Sequence, residues 1–156
     1  MSFPEVAVIV SDDARQELGG KLTIVGMYTA EMVFVSPEVP TVIPRLSFTF
    51  LCRWPDEASR EPIAMEVYFP GEESEAGVQF SADPRTAPVS GDVPASERRG
   101  FLANIVLEMI SLKGMGTFTA YATVGDERKE VYKLRVRHVA PDPATSAPQG
   151  MPEASA

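Results

Sequence analysis

Apolar residues in this chain recur mainly at every second position, in short runs divided by proline, glycine and acidic turns. The clearest run is Arg45 to Trp54 (RLSFTFLCRW). There Leu46, Phe48, Phe50, Cys52 and Trp54 share one phase, and Ser47, Thr49 and Arg53 share the other. A period of two puts the first set on one face of a strand. Ile63 to Phe69 repeats the pattern, with Ile63, Met65, Val67 and Phe69 inward. Val6 to Val10 (VAVIV) is continuous rather than alternating, which predicts a strand buried on both faces. The following SDDARQELGG predicts a polar connection with room for one helical turn capped by Ser11 or Asp12. Lys21 to Thr29 predicts a second strand with Leu22, Ile24, Gly26 and Tyr28 on one face. Gly26 in its interior predicts a bulge or a close backbone approach. Glu31 to Val35 continues or re-enters the sheet.

Residues 36–44 (SPEVPTVIP) predict a proline-punctuated crossing loop. The acidic turn PGEESEAG leads to a short strand around Val78 to Ser81. Asp83 to Arg99 is long, polar and without period; connections above about 12–15 residues are uncommon and are often functional or disordered. Phe101 to Leu112 admits two readings. A strand would bury Ile105, Leu107 and Met109, whereas a helix would align Asn104, Glu108 and Ser111 in a polar stripe. Ile105-Val106 and the flanking Gly100 and Gly114 favour the strand. Gly116 to Arg137 predicts a hairpin turning at Gly125-Asp126-Glu127, with Phe118, Ala120, Ala122 and Val124, then Tyr132, Leu134 and Val136, facing in. From Ala140 onward the chain carries no aliphatic residue larger than alanine except Met151, which predicts a disordered tail.

The sum is an all-β protein: an antiparallel, immunoglobulin-like β-sandwich of about eight strands. The expected boundaries are a sandwich over 3–139 and a disordered Pro/Ala/Ser-rich tail over 140–156. A length of 156 residues fits one domain, and 44% hydrophobic with 23% charged residues is ordinary for a soluble globular chain. A formal charge of −8 argues against a general nucleic-acid binder. The single cysteine excludes an intramolecular disulfide. The apolar run at the N-terminus is too short for a signal h-region or a membrane span, so the expected location is cytoplasmic, with no membrane partner.

Candidate chemistry is sparse. Cys52 and His138 form the one nucleophilic pairing to weigh, but Cys52 lies in the inward phase of its strand, where a thiol is inert packing. Zinc would need more Cys and His ligands than two. Oxygen ligands for calcium could come from Asp12 and Asp13, from Asp56, Glu57 and Glu61, or from Glu72, Glu73 and Glu75. None has the spacing of a dedicated loop, and solvated acidic turns explain them. No cofactor is expected. The feature that rises above this background is a run of cations, Lys129, Lys133, Arg135 and Arg137, mostly in the outward phase of the last strand. Such a stripe can dock an acidic partner or a carboxylate. It can also be charged gatekeeping on an exposed strand.

The segment VAVIVSDDARQELGGKLTIVGMYT carries Asp12, Asp13, Arg15, Glu17, Gly20, Lys21, Gly26 and Tyr28 in a D-D-x-R-x-E-x-x-G-K…G-x-Y pattern. In this it resembles a family of uncharacterised bacterial proteins, a domain of unknown function. The last hairpin, from G-T-F to the turn at Gly125-Asp126, is similar to that of an immunoglobulin-like sandwich, with Phe118 where such domains often carry a tyrosine. The resemblance implies the fold and a bacterial or phage origin, and no activity. The expected function is therefore a non-catalytic protein-binding or assembly module with an unknown protein partner, homo-oligomerisation being left open. The alternatives are a small structural component of a phage or secretion-type particle, and a calcium-dependent binder or enzyme using the acidic turns.

Overall fold

The computed structural model describes residues 3–18, 21–35, 41–55, 61–86 and 100–140. Among these residues it is all strand and turn, with no helix. The strands are β1 (Glu5–Gln16), β2 (Leu22–Tyr28), β3 (Glu31–Val35), β4 (Thr41–Arg53), β5 (Ile63–Tyr68), β6 (Val78–Ala82), β7 (Gly100–Leu112), β8 (Gly116–Val124) and β9 (Glu127–Val139). They form a four-stranded sheet in the order β2-β1-β4-β7 and a five-stranded sheet in the order β3-β9-β8-β5-β6. Every neighbouring pair is antiparallel except β3 and β9, which run parallel. The sandwich is as expected, with one strand more and one parallel edge.

The period-two phases decide the core. From β4 come Leu46, Phe48, Phe50, Cys52 and, just past its end, Trp54; from β5 and its extension come Ile63, Met65, Val67 and Phe69. All are buried. The closing hairpin adds Phe118, Ala120, Ala122, Val124, Leu134 and Val136, while Tyr132 stays half-buried. Phe48 of one sheet meets Phe118 of the other edge-on, centroids 5.7 Å apart. Phe69 completes the group at 5.2 Å from Phe118 and 6.1 Å from Phe48. Expected and observed inward faces agree here because alternation alone settles which side of a two-layer fold meets the other sheet.

Four expectations fail, each for a physical reason. Val6 to Val10 is not buried on both faces: Val8 and Val10 point in and Ala7 is exposed, because this sheet has only one covered side. The polar connection after it is strand as far as Gln16, since Val10 to Gln16 pair with β2 and need no helical turn. Thr41 to Pro44 belong to β4 rather than to a crossing loop; residues 36–40 lie outside the described residues. Met109 is exposed instead of buried. Pro44 cannot donate to the ladder, and Met109 on the facing strand has φ 53. Pairing resumes beyond them at Ile43 and Ile110. Both strands turn over together at this point, so that Ile43, Ile110 and Leu112 take the buried side. The expected tail beyond Ala140 and residues 87–99 of the expected long loop lie outside the described residues.

β1 and β2 are joined by more than their ladder. Asp12 faces Gly26 across it, and Tyr28 Oη donates to Asp12 Oδ1 at 2.5 Å. A Cβ on Gly26, whose φ is +67, would fall 2.0 Å from Asp12 Oδ2. Here the expected close approach is real, and it is to a carboxylate. Partial burial and the bond to Asp12 together push the Tyr28 phenol up to about 12.

Gly26→Ala is expected to cost about 1–3 kcal/mol in urea unfolding, from backbone strain and the displaced carboxylate. Met109→Gly is expected to act oppositely, raising stability by about 0.5–1 kcal/mol by relieving a left-handed non-glycine residue, while Met109→Ile lowers it. A fall in stability for Met109→Gly would contradict the inversion described above.

Candidate functional site

The register of β8 against β9 shifts by one residue between Ala120 and Tyr121. Ala120 pairs with Tyr132 but Tyr121 pairs with Glu130, which leaves Val131 as the extra residue of a β-bulge. A one-residue slip reverses every side chain beyond it. Lys133, Arg135 and Arg137 accordingly face outward as expected. On the far side of the bulge it is Glu130 and Arg128 that face outward, and Lys129 is carried to the opposite face, its Nζ 4.4 Å from the centre of the Phe3 ring. The four expected cations are therefore a row of three, with Lys129 elsewhere.

Most of these cations are already neutralised. Arg137 holds Glu31 of β3 through two bonds of 2.8 Å, Lys133 pairs with Glu130 at 2.8 Å, and Lys129 pairs with Glu127 at 2.8 Å. Arg135 lies directly across from Glu31, which Arg137 occupies, and it makes no ion pair of its own among the described residues. The bond from Arg137, with the field of Arg135 behind it, lowers the Glu31 carboxyl pKa.

Sequence reasoning missed the aromatic half of this face. Arg128 lies over the Tyr121 ring at 3.9 Å and nearer the rim of Tyr68 at 5.8 Å, while donating to Glu66 at 2.9 Å. The bulge hid it, since strict alternation from Lys133 points position 128 the wrong way. Two open grooves cross the outer face of the five-stranded sheet. One of about 580 Å³ is lined by Met115, Lys133, Arg135 and Arg137. The other, of about 330 Å³, is lined by Tyr68, Thr119, Tyr121 and Arg128. They share Gly116 and Thr117, and so form one continuous surface of hydroxyls, aromatic rings and cationic groups, with the carboxylate of Glu73 in the second groove.

The other candidates are structural. Cys52 is buried, and burial pushes its thiol up to about 12. His138 packs against Phe34 and lies 3.0 Å from Thr41 Oγ1, at the opposite end of β4 from Cys52. Thr41 and Cys52 are eleven residues apart on β4, and at about 3.3 Å per residue that puts His138 and Cys52 roughly 35 Å apart, so they form no dyad. Of the acidic residues, Asp13 is held between Arg15 and Arg45, Asp12 accepts from Tyr28, and Glu72 pairs with Lys113. Among the described residues no three His, Cys, Asp or Glu side chains form a metal-sized group; Asp56 and Glu57 lie outside those residues.

A polar seam on the outer face of the four-stranded sheet was also not anticipated. Ser47 and Thr49 of β4 donate to Asn104 Oδ1 at 2.7 and 3.0 Å, and Asn104 Nδ2 donates to the Ala14 carbonyl at 3.1 Å. Pairing of β1 with β4 ends at Ser11, and for Asn104 on β7 to reach Ala14 the end of β1 must cross over β4. That crossing buries Ser11, Ser47 and Thr49, and brings Asp13 against Arg45, 2.8 Å from its Nε. The motif residues Asp12, Gly26 and Tyr28 thus join β1 to β2, and Asp13, held by Arg15 and Arg45, fastens the hairpin to β4.

The chain belongs to a family of unknown function, DUF6941, whose model matches residues 6–137. No curated protein and no solved structure matches it. Among the described residues no helix is long and apolar enough to cross a membrane.

Hydrogen bonds from Arg15 first, and then from Arg45, hold the Asp13 carboxyl below the usual carboxylate range, as Arg137 does for Glu31. A folded pKa below the unfolded one means the unfolded chain binds more protons in acid. Their contribution is therefore complete above the ordinary carboxylate values, about 4, and is lost as pH falls through the lower folded values. Wild-type stability is expected to drop steeply below about pH 4, and Asp13→Asn to be less stable at neutral pH with a shallower acid slope. Equal slopes in urea titrations at successive pH values would contradict this.

Proposed function

We propose that this family member is a non-catalytic protein-binding or assembly module, bacterial and cytoplasmic, built on an immunoglobulin-like sandwich. Its docking face is the outer side of the five-stranded sheet. Three things support the immunoglobulin-like reading: the order β3-β9-β8-β5-β6, the parallel edge between an early strand and the last, and the closing hairpin. The observation that carries the binding reading is Arg135. It stands in a groove between Lys133 and Arg137, both of which have internal acids, and it is the member of the row without one among the described residues. In a chain of charge −8, this leaves one guanidinium on that face without an ion pair among the described residues. An acidic segment would meet Arg135 in the groove and lie along Thr117 and Thr119 towards the Arg128–Tyr121 pair, where a flat or aromatic group can stack.

An oligoglutamate probe capped with tyrosine is expected to bind at low ionic strength and to be released by salt. Arg135→Glu is expected to weaken that binding about three- to tenfold, whereas Lys129→Glu, on the other face, leaves it unchanged. No binding to the wild type, or equal loss from both substitutions, would overturn the reading.

A further inference from the structure

Among the described residues each sheet of this sandwich is open, so four strands present an edge: β2 and β7 on one sheet, β3 and β6 on the other. Unpaired edges invite pairing with another chain, and proteins usually blunt them with short strands, kinks, charges or proline. Three edges here are blunted. β3 and β6 have 5 residues each. β2 has 7 residues and is interrupted by Gly26 at φ 67. β7 differs. It has 13 residues, and from Gly100 to Leu107 it carries no charged side chain and no proline. Its irregularity is Met109 at φ 53, which ends the regular run after Glu108. Among the described residues β7 pairs with β4 alone.

The exposed side chains continue this edge into a surface. Leu102 is 47% exposed and Leu51, beside it on β4, is 39% exposed. With Glu5, Val6 and Ala7 they line a mostly apolar groove of about 590 Å³ at the end of the sheet, beside Arg53. Arg53 faces Glu5 across the β1–β4 ladder but makes no ion pair among the described residues.

We infer that β7 pairs with β7 of a second copy, antiparallel about a two-fold axis at Asn104, to give a continuous eight-stranded sheet across a dimer. The register follows from the usable run. It starts at Gly100 and stops at the Met109 kink, so its centre is Asn104. Antiparallel pairing of one strand with its own copy is closed by a two-fold, the commonest symmetry of soluble oligomers. In this register Leu102 lies opposite Val106 of the other copy, on the outer face. The two apolar side chains cover each other and close the open end of the groove.

Glu108 then lies opposite Gly100 of the other copy, in the same row as Arg53, because Arg53 pairs with Gly100 within each chain. Gly100 has no side chain to intervene, and none fits there: a Cβ would sit 2.3 Å from the Cys52 carbonyl oxygen. Two strand spacings are about 10 Å, within the joint reach of arginine and glutamate. At each end the interface therefore gives Arg53 a second acid besides Glu5 across the β1–β4 ladder, while Glu108 also keeps Arg45, 2.9 Å away. The surface is distinct from the outer face of the five-stranded sheet, so it stands whether or not that face binds an acidic segment.

The wild-type protein is expected to sediment as a dimer that dissociates on dilution. Leu102→Cys/Val106→Cys is expected to cross-link into a covalent dimer on mild oxidation. Opposed residues across antiparallel strands are about 4.5–5.5 Å apart at Cα, whereas 102 and 106 of one strand are about 13 Å apart and cannot close within a chain. Leu102→Cys alone is expected not to cross-link, and buried Cys52 not to take part. Arg53→Glu is expected to weaken the dimer about three- to tenfold, and Arg53→Glu/Glu108→Arg to restore it. Both cysteine positions are on the outer face, so circular dichroism identical to wild type is expected. A monomer at every concentration overturns the inference, and so does a dimer in which the paired cysteines fail to cross-link or Leu102→Cys alone succeeds.

Discussion

The two sheets are held in place by three phenylalanine rings. Phe48 comes from the middle of β4, Phe118 from the start of β8, and Phe69 from the end of β5, and each touches the other two. Replacing a buried phenylalanine by alanine costs about 3–5 kcal/mol, while an exposed ion pair contributes about 0–1. The interlock therefore outweighs the whole row of surface charges on β9. It also fixes the relative position of the layers. Once Phe48 and Phe118 face one another, the inward phases of β4 and β8 are set, and so by pairing are those of β1, β7, β5 and β9.

What the core leaves undetermined is where an alternation reverses, and two reversals shape the outer surface. The bulge opposite Ala120 and Tyr121 brings Arg128 to the same face as Arg135 and sends Lys129 away to Phe3. The inversion at Pro44 and Met109 lets one strand pair serve the core with odd positions on one side of the kink and even positions on the other: Ile105 and Leu107, then Ile110 and Leu112. Both features are local backbone events with long-range consequences, because each inverts all side chains beyond it.

Those reversals also mark the limit of what the sequence reveals. The inward residues of β5, β8 and the Leu46–Cys52 part of β4 were legible because their alternation is unbroken and their outward partners are mostly polar. Met109 was misread because a strict period continues through it, and a single residue in a left-handed conformation leaves no compositional trace when it is methionine. Gly26 was readable for the opposite reason: a glycine within a strand signals a special backbone. At the candidate site Lys133, Arg135 and Arg137 were legible as an outward row, whereas Arg128, Tyr68 and Tyr121 were not. Their meeting depends on a bulge and on the order of β5, β8 and β9, which no local pattern encodes. The acidic pairs Asp12-Asp13 and Glu72-Glu73 suggested ligands in sequence, and the fold instead supplies Tyr28, Arg15, Arg45 and Lys113 to most of them.

The last point bears on what kind of function this scaffold can host. A reactive centre needs polar groups left unsatisfied by the protein and held in a cleft, so that a substrate completes them. Among the described residues the buried polar side chains complete one another, except for the indole N–H of Trp54, which has no hydrogen-bond partner. Ser47 and Thr49 saturate Asn104, Asn104 caps the Ala14 carbonyl, and Asp13 takes two guanidinium groups. The thiol is sealed in the core with its proton held tightly, and the imidazole is engaged at the far end of the same strand. Valence is left over at surfaces instead: the backbone edge of β7, the apolar side chains beside it, and a guanidinium in a shallow groove. Open edges and shallow grooves complement extended chains and other sheets better than they enclose small molecules. The proposed recognition of polypeptide rests on these surfaces, while most of the polar residues fasten the fold.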